Sequence, residues 1–511
     1  MPTPSGHTTP IWPATADVPR HPPLAADAEA DVCIVGAGIA GLSVAYHLGR
    51  AGKRVIVLDD DQIGGGETWR TTAHLASAWD DGFDETEKAH GLRGSQLVFE
   101  SHAAAINRIE AIVREEGIDC DFRRLDGYLF LGGADGHEVL EREAQAAQRA
   151  GHTDVELLAR LPVDFWNGGP CLRFPNQGQF HVLKYLSGLA RAIARDGGRI
   201  FCGSHVSEVD ASGERPVVKT ADGHTVRAGA LVVATNSPVN DWVALHTKQA
   251  PYRTYVVGLR VPDGSVPTAL YWDTPDPYHY VRLQRDAEGD VLIVGGEDHK
   301  TGQADDMAER WRCLEEWTRE RFPMAGAVAY RWSGQVMEPV DYVGFIGKDP
   351  AGQRNVYVAT GDSGQGMTHG TIAGILLTDL ILGRDNPWAT LYDPSRKTLS
   401  IATAMEFAKE NLNVAAQYRD YVTPGEVDSI DEIPAGSGAL LRRGAKKVAV
   451  YRTPEGDVVE RSAVCTHLWC IVHWNDGEKS WDCPCHGSRF APTGEVLNGP
   501  AAAPLGEPEG E

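Results

Sequence analysis

Asp31-Val-Cys-Ile-Val35, an apolar run of strand length, passes directly into Gly36-Ala37-Gly38-Ile39-Ala40-Gly41. A helical stretch, Leu42 to Ala51, and a second apolar run, Arg54-Val-Ile-Val-Leu58, follow and end at Asp59-Asp60. This order of strand, glycine turn, helix, strand and terminal acid forms a dinucleotide-binding unit. The glycines let the backbone approach a pyrophosphate at a helix N-terminus, and the acid binds a ribose hydroxyl. The G-x-G-x-x-G spacing alone would be weak evidence; the strands on either side make it specific. Cofactor contacts are expected from Gly36, Gly38, Ile39, Ala40, Gly41, Asp59 and Asp60.

Three further stretches bear on which dinucleotide is bound. Gly64-Gly-Gly66-Glu-Thr68-Trp-Arg70-Thr-Thr72-Ala73-His74 follows the second strand, Leu231-Val-Val-Ala234-Thr235-Asn236 reads as a strand, and Asn355 to Thr368 contains Gly361-Asp-Ser-Gly364-Gln365-Gly366-Met367-Thr368. The first resembles the loop that, in the D-amino acid oxidase and sarcosine oxidase superfamily, runs along FAD toward the isoalloxazine. The other two match that superfamily's cofactor-facing strand and its last strand, glycine turn and helix. The resemblance implies noncovalent FAD held by Gly66, Thr68, Thr72, Ala73, His74, Val206, Ala234, Thr235, Asn236, Gly361, Gly364, Gln365, Gly366, Met367 and Thr368. In related dimethylglycine dehydrogenases a histidine after a Thr-Trp pair bonds the flavin; Arg70 stands at that position here, and His74 lies four residues on. Sarcosine oxidases place a lysine over the flavin to promote reaction with oxygen. Asp290 to Gly296, the strand that would align, has none, so reaction with oxygen is expected to be slow.

The implied architecture is an α/β FAD-binding domain of Rossmann type with an antiparallel β-sheet substrate domain. Periodicity agrees: helices are expected at Glu85 to Glu116, Leu183 to Asp196, Asp306 to Arg321 and Thr371 to Leu382, and alternating strand-like runs at Cys120 to Gly132, Arg199 to Thr225 and Tyr252 to Ala329. Residues expected to face the substrate are Arg70, His74, Tyr280, Arg282 and Gln335. Alternation puts Tyr278, Tyr280 and Arg282 on one face. If that face looks at the flavin, Arg282 is placed to clamp a substrate carboxylate; the alternative is pairing with a neighbouring surface acid.

Near the end of the chain, Cys465-Thr-His467-Leu-Trp-Cys470 and Cys483-Pro-Cys485-His486-Gly-Ser488-Arg-Phe490 are separated so that fifteen residues lie between His467 and Cys483. Two thiolates and two imidazoles from two short loops make the ligand set of a Rieske 2Fe-2S centre, with Cys465 and Cys483 on one iron and His467 and His486 on the other. A structural zinc site is the alternative for such spacings. Both boxes resemble the Rieske proteins of respiratory cytochrome bc complexes. That resemblance implies a disulfide between Cys470 and Cys485 and a hydrogen bond from Ser488 to a cluster sulfur. Trp469 replaces the usual glycine and Phe490 a tyrosine. A potential somewhat below the respiratory members is therefore expected, inside the roughly −150 to +300 mV of Rieske centres.

The 511 residues carry 48 Lys and Arg against 71 Asp and Glu, a net charge of −23, which argues against nucleic acid and anionic membrane surfaces as partners. The longest apolar stretch near a helix, Ile372 to Leu382, contains Asp379 and is too short to span a bilayer. The first thirty residues show no apolar signal segment, and a cytoplasmic location is expected. A disulfide is unusual in that compartment and would need shielding by the cluster and its loops. The expected organisation is a surface arm at 1–28, the oxidoreductase at 29–420 and a small all-β Rieske domain at 421–511. Within the oxidoreductase, the FAD-binding parts are about 29–80, 175–245 and 335–400, and the substrate parts about 81–174 and 246–334.

What these resemblances imply is oxidation of a C–N bond in an amine or amino acid, with electrons passing from FAD to the Rieske cluster and on, singly, to an external acceptor protein or quinone. A reductase or electron-transfer flavoprotein delivering electrons through the Rieske domain is one alternative, and a non-catalytic redox sensor another. A Rieske oxygenase would need two further histidines three to five residues apart for its mononuclear iron, and none occur outside the boxes.

Overall fold

The computed structural model of the chain describes residues 5–133, 135–239, 245–397 and 401–508. The fingerprint strand, Ala28–Val35, lies inside a largely parallel sheet. Thr225–Val233 and Val55–Leu58 flank it, followed outward by Val356–Thr360 and Arg199–Phe201, all parallel. All four residues of Val55–Leu58 are buried, as expected of a parallel strand covered on both faces. The helix Ile39–Arg50 packs on this sheet beside Gly366–Ile381, which begins at the glycine turn itself, five residues before the position expected from periodicity.

A nine-stranded sheet forms the second layer, in the order Val328–Pro339, Gln249–Arg260, Gly289–Lys300, Tyr280–Asp286, Leu270–Asp273, Arg123–Phe130, Cys171–Gln179 and His74–Leu75, with Glu156–Leu158 beside Cys171–Gln179. Its pairings are antiparallel except that between Leu270–Asp273 and Arg123–Phe130. The long helix Phe83–Glu116 is two helices joined at Gly91, where φ is +68°. An additional helix, His137–Ala150, buries Leu140, Ala144 and Ala147 against it.

The C-terminal part contains two small antiparallel sheets, one from Ser437–Arg443, Lys446–Arg452 and Val458–Ser462, the other from His473–Asn475, Ser480–Asp482, Arg489–Phe490 and Val496–Asn498. Leu440, Ile471, Trp481 and Phe490 form its core together with Cys465, Cys470, Cys483 and Cys485.

Of the N-terminal arm, residues 1–4 fall outside the described residues; from 13 to 28 all but Leu24 are exposed or half-buried, and buried anchors lie upstream. Ile11 and Trp12 are fully buried, and the Trp12 indole donates to the Thr71 carbonyl at 2.6 Å. Further upstream the arm wraps a carboxylate of the C-terminal part: the Thr8 amide donates to Glu478 Oε2 at 3.0 Å, the Thr8 hydroxyl to Oε1 at 2.5 Å and the His7 amide to the Glu478 carbonyl at 3.1 Å.

Glu478 is the centre of a buried ionic junction between the two parts. Its side chain and that of Arg70 are each 1% exposed, with Arg70 Nη1 at 2.9 Å from Glu478 Oε1. Ser333 donates to the same oxygen at 2.6 Å. Asp482 accepts from Arg489 at 3.1 Å and lies 3.9 Å from Arg253, both arginines being fully buried. Arg489 also donates to the Ser5 carbonyl at 2.6 Å, and Arg70 Nε to the Ser5 hydroxyl at 2.7 Å. Burial alone would raise the Glu478 carboxyl, but Arg70, Arg489 and Arg253 outweigh it and bring the pKa down to about 2. A carboxyl with a lower pKa folded than unfolded stabilises the fold above its unfolded value of about 4.3 and loses that contribution as pH falls through its folded value.

Removing one partner of a buried ion pair leaves an uncompensated charge, so Glu478→Gln should destabilise by about 3–5 kcal/mol. The expected readouts are a lowered thermal midpoint and faster proteolysis of the stretch 422–436 that leads into the first C-terminal strand, Ser437–Arg443. In the unsubstituted protein, the same susceptibility should rise as the pH is taken from about 4 toward 2.

Candidate active site and cluster loops

A cavity of about 310 Å³ lies between the parallel sheet and the nine-stranded sheet. One end is built by the dinucleotide fingerprint. Gly36, Gly38, Ile39 and Ala40 line it at the start of the helix, with Asp59 and Asp60 beside them and Ser204, His205 and Val206 opposite. Gly41 does not line the cavity. A Cβ there would stand 1.8 Å from the Gly36 carbonyl oxygen, so its glycine permits the turn and helix to approach each other. Asp59 accepts from the Ala37 amide at 2.5 Å, and burial, aided by Asp60, raises its pKa to about 7. Thr68 Oγ1 accepts from the Ile39 amide at 3.1 Å. A helix N-terminus opening into a cavity beside glycines and a buried acid fits a dinucleotide pyrophosphate and ribose.

Gly66, Thr68, Thr72 and His74 continue the lining, and Ala234, Thr235, Asn236, Gly361, Gly364, Gln365, Gly366 and Met367 face them. Ala73 and Thr368, also expected at the cofactor, lie behind the lining. Ala73 is fully buried with φ +58°, and the Thr368 hydroxyl is 2.8 Å from His102 Nδ1. The C-terminal part closes one wall through Val496, Leu497, Asn498, Gly499 and Ala501. Asn498 donates to Glu67 at 3.0 Å, and the Ala502 carbonyl lies 3.0 Å from His205 Nε2.

Of the residues expected to face substrate, His74 and Tyr280 line the cavity, their rings 5.7 Å apart and edge-on. Burial, aided by Arg282, holds His74 neutral with its pKa near 3. Two arginines are differently employed. Arg282 does lie on the cavity side of its strand, but beneath the flavin loop. Fully buried, it donates to the carbonyls of Ala73 (2.7 Å), Thr72 (3.1 Å) and Phe180 (3.2 Å) and to Gln284 at 2.5 Å. It is a brace for the loop, not a clamp for a carboxylate, because strand alternation fixes a face but not the depth at which a side chain stops. Arg70 borders the cavity, yet its guanidinium turns to Glu478. Gln335 lines the cavity and spans the junction, donating to the Gly487 carbonyl at 3.1 Å and accepting from Thr301 at 3.2 Å.

Trp79, Asp80, Thr254 and Asp298 also line the cavity and were not singled out from sequence. The Asp80-Asp81 pair, six residues beyond His74 at the end of the flavin loop, was the visible signal for the first acid; Asp298 has none.

In the cluster loops, Cys465 and Cys483 are buried free thiols, and the His467 and His486 rings lie 5.1 Å apart. His486 Nδ1 is buried without a hydrogen-bond partner. Ser488 bonds the Cys465 sulfur and accepts from the Ala501 amide at 3.0 Å. Cys470 and Cys485 form a disulfide, and their sulfurs lie within 4.8 Å of Cys483 Sγ. Two thiols, two imidazoles and an orphaned ring nitrogen fit a 2Fe-2S cluster of mixed ligation. A third histidine, His246 of the flavin part, packs edge-on against both rings, at 4.9 Å from His467 and 5.8 Å from His486. As a result the two cluster histidines are only 4% and 5% exposed.

Comparison with known proteins agrees with this geometry. The FAD dependent oxidoreductase (DAO) family matches residues 31–380, and the Rieske [2Fe-2S] domain matches residues 423–509. A Bacillus subtilis (strain 168) protein described as a Rieske 2Fe-2S iron-sulfur protein, YhfW, is 31% identical over 499 residues, covering 97% of this chain and 96% of its own. Gamma-glutamylputrescine oxidoreductase of Escherichia coli (strain K12) is 29% identical over 373 residues, covering 69% of this chain and 84% of its own. The crystal structure of glycine oxidase from Geobacillus kaustophilus shares the fold with a TM-score of 0.62 at 20% identity, over 72% of this chain and 99% of that one. No described helix is long and apolar enough to cross a membrane. The chain thus belongs to the FAD-dependent oxidoreductase family of the D-amino acid oxidase type, with a C-terminal Rieske domain, and the cofactors bound by these two domains are FAD and a 2Fe-2S cluster.

Proposed function

We propose that this protein oxidises the C–N bond of an amine or amino acid and passes the electrons within one chain to its Rieske centre, from which an external one-electron acceptor, a protein or a quinone, removes them. The observation that carries this reading is the seating of the cluster loops on the flavin part. His246 covers the edge formed by His467 and His486, and Gln335 reaches from the cavity to the residue after His486. The amine-oxidising half is supported by the relationship to gamma-glutamylputrescine oxidoreductase.

When bound, FAD supplies two-electron chemistry at a carbon next to nitrogen, and the cluster supplies one-electron relay. The chain's own residues would prepare both. Gly36, Gly38 and Asp59 hold the dinucleotide, and Arg282 fixes the Thr72 and Ala73 carbonyls so that the loop keeps its path. Neutral His74 and the Tyr280 hydroxyl, which lies 2.7 Å from Thr254 Oγ1, border the substrate without adding a positive charge. On the outer side, Trp469 is 64% exposed, and its loop is tied to the Tyr418 and Tyr421 hydroxyls. That aromatic surface is where an external acceptor would approach.

Anaerobic mixing with amines and amino acids should bleach the flavin first and then remove the Rieske visible bands. The second phase should have a rate independent of protein concentration. Flavin bleaching with an unresponsive cluster, or a relay rate that scales with concentration, would remove the intrachain step.

FAD is read as noncovalent because Arg70 occupies the attachment position and its side chain is committed to Glu478. Acid precipitation should release all of the yellow chromophore into the supernatant, and flavin absorbance remaining with the precipitate would overturn this.

A further inference from the structure

Beyond the flavin loop the cavity is strongly acidic. Asp80, Asp298, Glu338 and Asp362 line it, with Trp79, Trp272, Tyr278 and Tyr280 as aromatic walls. Among the described residues lining the cavity there is no lysine, and the single arginine, Arg70, has its charge matched by Glu478. Burial keeps His74 and His369 neutral, and His205 pairs with Asp60 at the fingerprint end, so no cation lining the cavity meets these four acids.

Their hydrogen bonding shows how they persist. Tyr278 donates to Asp80 at 2.5 Å. The Ser363 hydroxyl lies 2.8 Å from Glu338 Oε2 and 3.0 Å from Asp81 Oδ2. One hydroxyl carries one proton, so it satisfies only one of those two oxygens as donor. Asp298 Oδ1 is buried without a hydrogen-bond partner of good geometry, its one polar neighbour being the Thr254 hydroxyl, which is shared with Tyr280. Burial raises the carboxyl pKa values, to about 6 at Asp80, about 7 at Asp298 and Asp362, and well above the usual carboxylate range at Glu338, which therefore holds its own proton and leaves Asp80 and Asp298 as the acids a cation would meet. A site of this composition is completed by a cation: an ammonium donates to the orphaned oxygen, restores charge balance and lies against tyrosine rings, whose centroids here are 5.4 Å apart.

We infer that the substrate carries at least two positive charges, an alkyl diamine or polyamine, with its distal ammonium held between Asp80 and Asp298 against Tyr278 and Tyr280, and with no carboxylate at that end. This deepens the amine-oxidation reading and rests on it. A free amino acid fits poorly, because the two arginines that could have met its carboxylate are committed to Glu478 and to the flavin loop, and the remaining charges would repel it.

The test is anaerobic equilibrium binding to the holoprotein, by calorimetry and by perturbation of the flavin spectrum. Three matched series of increasing chain length would be used: α,ω-diamines, n-alkylamines and ω-amino acids. These differ only in carrying a positive, neutral or negative far end. The best diamine should bind about tenfold or more tightly than the alkylamine of equal length, and the amino acid weakest. Asp298→Asn should bring the diamine and alkylamine affinities together while flavin content and thermal midpoint are kept, since the substitution removes a costly buried charge. An ω-amino acid, glycine or proline binding as tightly as any diamine would overturn the inference. If such carboxylate-bearing amines also bleach the flavin and then the cluster, the function proposed above stands and only the charge assignment falls. If no amine of any charge perturbs the flavin, both fall.

Discussion

Three buried guanidiniums, Arg70, Arg253 and Arg489, meet the carboxylates of Glu478 and Asp482 where the flavin part joins the Rieske part. Charges this far from water are tolerated only while every one has its partner. Separating the parts would strand Arg70 and Arg253 on the flavin side and Glu478 on the other, while Arg489 would keep Asp482. Around it, Ser333, Ser5, Thr8 and Asn498 meet further donors and acceptors, with Glu67 receiving both Asn498 and the Gln335 amide, while Arg253 Nε and Nη2 stay buried without a hydrogen-bond partner. The flavin loop that carries Arg70 is thus set in place from the cluster side.

The Rieske part is consequently a wall of the flavin cavity, not a tethered appendage. Val496 to Ala501 complete the enclosure, and Gln335 and His246 reach from the flavin part to the immediate surroundings of His486 and His467. A domain that swung away to meet a partner would open the cavity and break the ionic junction together. The relay proposed above would therefore be a fixed one, to which an acceptor would come, and Trp469 stands exposed on the Rieske part.

Much of this was legible in the sequence because it is local. The fingerprint strand and helix, the glycine turn at 361–366 and the two cluster boxes are each contained in a short continuous stretch whose order carries the chemistry. What escaped depends on contacts made across the chain. Arg70 and Glu478 are 408 positions apart, and nothing near either announces the other. His246 lies in an unremarkable segment and acquires its place only when the cluster loops dock. Arg282 shows the intermediate case: alternation put it on the correct face, while the loop above it, which decides what the guanidinium meets, is formed by residues some two hundred positions earlier.

The placement of the first described residues also bears on how the molecule is assembled. Ser5 to Thr8 are clasped by Arg70 of the flavin loop and by Glu478 and Arg489, which lie 470 and 484 positions further along the chain. Until those later residues are made the segment has only Arg70 to hold, and closing so long a loop costs only modestly more entropy than closing a shorter one. Residues 5–8 thus fasten the flavin loop to the iron-sulfur part. A substitution among them would be felt at both, ahead of the nucleotide fold that follows them in sequence.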